Sequence, residues 1–368
     1  MNNFIDDFRN SEIARKMGSM LSSYRGRPVT IMEVCGTHTM AIFRYGIRAL
    51  LPDGIRLISG PGCPVCVTPS YYVHAAVTLS QRDDVIITTF GDMMRIPATA
   101  GDGSRGESLL SRKAQGNDIR IVYSPLDSLK IAAENPGKKV VFLSVGFETT
   151  VPVIALSVLK ANEAGLDNFS VLSANKTVPE ALKVLSVDSE IGVDGYLYPG
   201  HVSAIIGTGF YDEIAERYGI PGIVAGFEPL DVMHAIISLA SNINNKKIVV
   251  ENQYCRVVTR EGNPVALEKM NEVFEARDAV WRGIGCIPGS GLQVRDKYSK
   301  HDAWKVFDLR QEAGNEPKGC LCGEVLKGKR TPKDCGLFGK ACTPENPVGS
   351  CMVSSEGTCA AYYKYGGI

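Results

Sequence analysis

Val29-Thr30-Ile31-Met32-Glu33-Val34-Cys35-Gly36-Thr37-His38-Thr39-Met40-Ala41-Ile42-Phe43 is the stretch on which the reading of this chain turns. An apolar, β-branched run leads in and a helical pattern leads out, so Cys35 falls where a buried strand turns into a helix. Amides at a helix start, with the helix dipole, favour a thiolate there, and a thiolate binds soft metals or attacks. A second thiol address follows a second short apolar run, Ile55 to Ile58. It is Gly60-Pro61-Gly62-Cys63-Pro64-Val65-Cys66, in which glycine and proline impose a tight turn around a Cys-x-x-Cys pair.

Working outward, the same alternation repeats. Strands are expected at Ile55 to Ser59, Val85 to Thr89, Ile119 to Tyr123, Val140 to Val145, Phe169 to Leu172, Gly195 to Tyr198 and Ile223 to Ala225. Amphipathic stretches lie between them, at Ser70 to Ser80, Leu126 to Asn135, Pro152 to Ala164, Pro179 to Ser186 and Leu230 to Ser241. Such alternation predicts an α/β fold with parallel sheets covered by helices. Phe4, Phe8, Ile13, Met17 and Leu21 predict a lead-in helix before Gly26 and Pro28 break the pattern.

An internal echo suggests two halves. Residues 34–39 resemble 145–150, 60–63 resemble 198–201, and Phe90-Gly91-Asp92 resembles Gly226-Phe227-Glu228. All six segments follow expected strands, where ligands of open parallel sheets bind, so two similar domains would face a central cleft. The expected division is 28–135 for a first α/β domain with Cys35, Cys63 and Cys66, and 136–250 for a second. Residues 1–27 and 251–368 would form a cysteine-rich domain with the N-terminal helix.

At 368 residues the chain exceeds one ordinary core, and 40 basic residues balance 40 acidic ones. No bulk field exists to hold nucleic acid or an anionic membrane, so neither is an expected partner. The start shows no signal segment and no run approaches a membrane span, which reads as a cytoplasmic protein. Eleven cysteines in that setting argue for metal or redox chemistry. There is no P-loop, no Gly-x-Ser-x-Gly elbow, and Gly101 to Gly106 follows no strand closely enough for a dinucleotide loop, reading instead as a mobile surface loop.

Residues 314–359 hold Cys320, Cys322, Cys335, Cys342, Cys351 and Cys359 among glycines, prolines and lysines. Few apolar side chains are available there, so a metal is needed to order the segment. Zinc usually takes close Cys-x-x-Cys pairs, which this tail lacks, whereas iron–sulfur clusters accept scattered thiolates. Six cysteines exceed one four-thiolate site, leaving two as thiols or a redox pair. Cys255 and Cys286 lack motif partners and read as packing residues.

Taken together, Cys-Gly-Thr-His-Thr-Met at 35–40, Gly-Pro-Gly-Cys-Pro-Val-Cys at 60–66, Gly-Phe-Glu-Thr-Thr at 146–150, Pro-Gly-His-Val-Ser at 199–203, Gly-Phe-Glu-Pro at 226–229 and the cysteine tail resemble the HypD family of hydrogenase-maturation proteins. The resemblance runs nearly end to end. It implies a scaffold that works with the chaperone HypC to assemble the iron of nickel–iron hydrogenase, carrying two cyanides and one carbon monoxide. Cyanide would come from HypE, with HypF upstream, and the hydrogenase large subunit would be an indirect partner. The family's tail pattern, Cys-x14-Cys-x6-Cys-x16-Cys, lands on Cys320, Cys335, Cys342 and Cys359, implying a [4Fe-4S] cluster there. Cys322 and Cys351 would be the spare pair, similar to the dithiol beside the cluster of ferredoxin:thioredoxin reductase.

On that reading Cys35 holds the iron, with a cysteine of HypC as a further ligand. Thr37, His38 and Thr39 would donate hydrogen bonds to cyanide nitrogens, or His38 would tune the Cys35 thiolate. Glu148 and His201 would line the same cleft, while His74, His234 and His301 read as structural. Cys63 and Cys66 would cycle as a dithiol or bind iron beside Cys35. The competing function is a free-standing iron–sulfur thiol-disulfide reductase using Cys63 and Cys66.

Overall fold

A computed structural model describes residues 9–99, 103–311 and 316–366 of the chain. Phe4 and Phe8 of the expected lead-in helix, and Gly101 and Asp102 of the expected loop, lie outside the described residues. The helix that is described, α1 (Ser11–Ser22), begins where Asn10 caps the amides of Glu12 and Ile13. It leads through β1 (Val29–Glu33), α2 (Gly36–Arg44), β2 (Ile55–Ser59) and α3 (Ser70–Leu79). The chain then builds β3 (Val85–Thr89), α4 (Leu109–Ala114), β4 (Ile119–Ile121), α5 (Asp127–Glu134), β5 (Lys139–Ser144), α6 (Val151–Glu163), β6 (Phe169–Ser173) and α7 (Val178–Ser186). It continues through β7 (Gly195–Pro199), α8 (Gly200–Ile206), α9 (Gly209–Tyr218), β8 (Gly222–Ala225), α10 (Pro229–Asn244) and β9 (Val250–Asn252). Then come α11 (Pro264–Val273), the hairpin β10 (Phe274–Trp281) and β11 (Gly285–Val294), α12 (Ala303–Val306), α13 (Cys322–Leu326) and α14 (Thr358–Tyr365).

Two parallel sheets result. The first has the order β2-β1-β7-β8-β9 and the second β4-β3-β5-β6. Counted by appearance within each sheet, both begin 2-1-3-4. The order reverses between β1 and β7 in the first sheet and between β3 and β5 in the second, which are the positions where such sheets bind ligands. Strands this deeply covered must be apolar throughout, and β3 is buried along its whole length.

The expected halves are wrong in their boundaries. A cut after residue 135 falls between β4 and β5, which belong to one sheet, while the first sheet takes strands from both sides of the cut. The second sheet is inserted between β2 and β7 of the first. The echo was therefore paired incorrectly: by strand order β1 corresponds to β3 and β7 to β5. Nor does the N-terminal helix join the cysteine-rich tail, since Leu21 packs with Val29, Ile31 and Met233 against the first sheet. Likewise β9 is an edge strand of the first sheet, and α11 packs through Met270 and Val273 with Ile154 and Val158 of α6.

Helices α1, α2 and α10 cover the outer face of the first sheet, and α6 with α11 covers that of the second. One continuous inner core takes Met32, Tyr196 and Val224 from the first sheet and Ile87, Val141 and Leu143 from the second. Cys63, Cys66, Cys322 and Cys351 belong to this same core. Among the described residues, no helix is long and apolar enough to cross a membrane.

Candidate functional site

The loops after β1 and β2 are fastened together. Gly60 N donates to Glu33 O at 2.8 Å and Gly36 N to Gly62 O at 3.1 Å. A side chain on Gly62 would put its Cβ 2.5 Å from Cys35 Cα and 2.6 Å from the Val34 carbonyl carbon, so the close approach requires glycine. Cys35 is the N-cap of α2, with φ −147° and ψ 125°. As expected, helix-start donors face its sulfur: the amides of His38 and Thr37 and the Thr37 hydroxyl lower its pKa. They do not win. Burial, with Glu356 adding to it, pushes the thiol up to about 12, so a thiolate is not favoured in the free protein.

The donors expected around Cys35 are mostly committed elsewhere. Thr37 Oγ1 donates to Glu356 Oε1 at 2.8 Å. Thr39 Oγ1 donates to Glu33, whose other oxygen accepts from Ser59 Oγ at 2.7 Å, so Thr39 points into the sheet rather than toward a ligand. Burial raises the Glu33 carboxyl to about 7. His38 is fully buried, and its Nε2 lies 2.9 Å from Gly226 O. A carbonyl can only accept, so Nε2 carries the proton and Nδ1 keeps a lone pair. Nδ1 has no partner among the described residues. Burial lowers the His38 pKa to about 4, which keeps the ring neutral. The histidine thus presents an acceptor, not the donor expected for a cyanide nitrogen.

His201, at the start of α8, is exposed and stacks on Phe227 with centroids 4.0 Å apart. His38 approaches the same ring at 4.6 Å, so Phe227 joins the two histidines. Desolvation lowers the His201 pKa as well. Glu148 follows β5, at the order reversal of the second sheet. Its Oε1 accepts from Val178 N at 3.0 Å, whereas Oε2 is buried without a partner among the described residues. Burial raises this carboxyl to about 7. Both Glu148 and Cys35 act on the buried phenol of Tyr211, whose hydroxyl meets Ser203 Oγ at 3.0 Å and whose ring stacks on Tyr198 at 3.9 Å. Burial raises the Tyr211 pKa most, with Glu148 and Cys35 adding smaller contributions.

The sulfur chemistry forms a second cluster next to the first. Cys63 and Cys66 are joined as a disulfide, with Cα atoms 5.2 Å apart. Cys322 and Cys351 are buried with their sulfurs 2.9 Å apart. Ser350 Oγ donates to Cys66 O at 3.1 Å, which puts the residue beside Cys351 in contact with the disulfide loop. Arg282 adds a second link. This buried arginine donates from its amide to Val67 O and from Nε to Thr68 O, both at 2.9 Å. The thiols of Cys320 and Cys351 lower the pKa of Cys322, and the charge of Arg282 reinforces them.

All six tail cysteines line one pocket of about 320 Å³. Gly349 is part of its wall, and a Cβ there would stand 2.9 Å from Cys320 Sγ. Tetrahedral zinc needs four sulfurs about 2.3 Å from one point. Among the described residues, no three His, Cys, Asp or Glu side chains group closely enough to hold a single metal ion. Sulfurs spread around a pocket suit a larger metal–sulfur cluster instead.

Not every reading survives. Cys255 and Cys286 are exposed, not packing residues. His74 and His234 are exposed on α3 and α10, while His301 is buried with Nδ1 2.8 Å from Phe169 O. Glu33, Phe227 and Ser203 lie inside or beside the quoted motifs and were within reach of the sequence. Tyr211, Arg282 and Glu356 carry no motif signal; only the fold brings them in.

A family model described as HypD, hydrogenase formation hypA family, matches residues 10–366. The hydrogenase maturation factor HypD of Cupriavidus necator is 46% identical, covering 99% of this chain and 97% of that protein. HypD2 of Bradyrhizobium diazoefficiens is 45% identical with the same coverages, and HypD of Escherichia coli is 43% identical over 98% of each chain.

Proposed function

Because the chain belongs to the HypD family of hydrogenase maturation factors, we propose that it is the scaffold on which an iron bearing cyanide and carbon monoxide is assembled for nickel–iron hydrogenase. Cys35 is the residue that holds this iron, which is cargo rather than a resident cofactor. The observation that carries the reading is the position of Cys35: a buried thiol at the order reversal of the first sheet, locked by Gly62 to the loop that carries Cys63 and Cys66.

The raised thiol pKa fits a ligand that stays protonated until a metal displaces the proton. Once bound, the sulfur keeps the amides of Thr37 and His38 as donors. His38 stays neutral through this step, with its Nδ1 lone pair unengaged among the described residues. Phe227 fixes both histidine rings, and His201 marks the open edge by which HypC and HypE would approach. HypC would add a second ligand to the iron and HypE would deliver cyanide.

Cys320, Cys335, Cys342 and Cys359 are the residues that would hold a [4Fe-4S] cluster in their shared pocket. Such a cluster supplies electrons one at a time. Cys322 and Cys351 remain as a close thiol pair beside Cys66, and Cys63 and Cys66 serve as a reversible disulfide. The disulfide also favours a second reading, a free-standing thiol-disulfide reductase. That reading gives no task to Cys35 and His38.

The test is to purify Cys35→Ser with HypC and record its infrared spectrum and cluster absorbance. Serine keeps the size but is a harder, poorly ionised ligand, so cyanide and carbonyl bands should vanish while cluster absorbance stays. Bands at normal intensity would remove Cys35 from the role. Absent bands in the unsubstituted complex, with rapid dithiol turnover, would favour the reductase.

A further inference from the structure

Behind the sulfur-rich loops, a pocket of about 480 Å³ opens between β2, the turn after α2 and the segment from Gly328 to Pro332. Three guanidinium groups line it, those of Arg48, Arg56 and Arg330. Ten other arginines are paired with carboxylates. Among the described residues these three have no ion pair, although they converge on one space. Arg48 is held in place between the rings of Phe43 at 4.9 Å and Tyr362 at 5.4 Å, and its Nε is buried without a partner.

The nearest carboxylates make no ion pair with the trio, although Arg48 acts on Glu33 and Arg330 on Asp334 at longer range, so the three positive charges are offset only in part. Glu33 already accepts from Ser59 and Thr39, and Asp334 from the amide and hydroxyl of Thr331. Three like charges around a concave, half-dry wall repel one another and raise the local potential for anions. Guanidinium forks match the oxygens of a tetrahedral anion, and charge-assisted bonds of this kind are among the strongest a protein makes.

We propose that this pocket binds a doubly charged tetrahedral oxyanion, phosphate or sulfate. The inference rests on no part of the maturation reading. It has a structural consequence, because the arginines come from different parts of the fold: Arg48 and Arg56 flank the first sheet, and Arg330 belongs to the cysteine-bearing tail. A bound anion therefore ties the tail to the sheet. Val325 lines both this pocket and the cysteine pocket, and Thr358 on its wall precedes Cys359.

The experiment is isothermal titration calorimetry of the full chain, in chloride buffer, with sodium phosphate, sodium sulfate and sodium acetate as separate titrants. Phosphate or sulfate should saturate one site, the tighter of the two naming the source, and acetate should bind at least about tenfold more weakly. Arg56→Gln and Arg330→Gln each remove an exposed cation that packs against nothing essential, so both variants should keep the melting temperature in chloride. Each should weaken dianion binding about tenfold, while Lys246→Gln, on a distant surface, should leave it unchanged. No saturable dianion binding, or binding of undiminished strength by the Arg56→Gln, Arg330→Gln double variant, would overturn the proposal.

Discussion

Replacing Gly62 by alanine tests whether the Cys35 loop is locked as described. The added Cβ would lie 2.5 Å from Cys35 Cα. Non-bonded carbons settle about 3.5–4.0 Å apart, so one loop must move by about 1 Å. Overpacking of this kind costs about 1–3 kcal/mol. The movement also stretches the bond from Gly36 N to Gly62 O, worth about 1 kcal/mol. The sum, about 2–4 kcal/mol, corresponds to a fall in melting temperature of roughly 3–5 °C for a chain of this size. Differential scanning calorimetry measures the fall. Infrared spectroscopy of the complex with HypC, normalised to folded protein, should show weaker cyanide and carbonyl bands, because the sulfur is displaced from its donors. A variant that melts within a degree of the parent with full bands would mean that the two loops are not rigidly joined.

Two further outcomes follow from the buried groups. Anaerobic iron and sulfide analysis should find the cluster lost in Cys335→Ala and kept in Cys322→Ala and Cys351→Ala; the reverse pattern would reassign the ligands. Glu148 titrates at about 7 in the folded chain against 4.5 unfolded, so the stability it contributes is intact below about pH 4.5 and is lost as pH rises through 7. Glu148→Gln keeps an acceptor for Val178 N and cannot ionise, so its melting temperature should exceed the parent's at pH 8, by up to about 3 kcal/mol of stability, and match it near pH 4.5. An equal difference at both pH values would show that burial of the charge is not the cause.

Individual elements were readable because local chemistry sets them. Val85-Ile86-Ile87-Thr88-Thr89 is β-branched and bounded by turn residues, and it is a strand with those limits. Sheet membership was not readable, because β1 pairs with β7 through contacts that no local pattern encodes. Cysteine spacing pointed to one tail pocket, and six sulfurs do line one. What the spacing of Thr37, His38 and Thr39 does not reveal is where each hydroxyl or ring nitrogen is already engaged. Thr39 is bound to Glu33 and His38 Nε2 to Gly226, and both partners are fixed only when the strands assemble. Burial likewise reversed the expected acidity of Cys35, since helix-start donors act over one turn while desolvation depends on the whole fold.

The insertion of one sheet between two strands of the other sets an order of events as the chain leaves the ribosome. Strands β3 to β6 are contiguous from Val85 to Ser173 and can pair as soon as they emerge. Thr30, by contrast, finds its partner Asp194 only 164 residues later. Until then β1 and β2 form a two-stranded fragment with apolar faces uncovered and Cys35 outside any finished pocket. Cys35 is thus synthesised well before β7, the strand that pairs with β1 and closes this part of the sheet. During that interval it is open to oxidants and to stray metal ions.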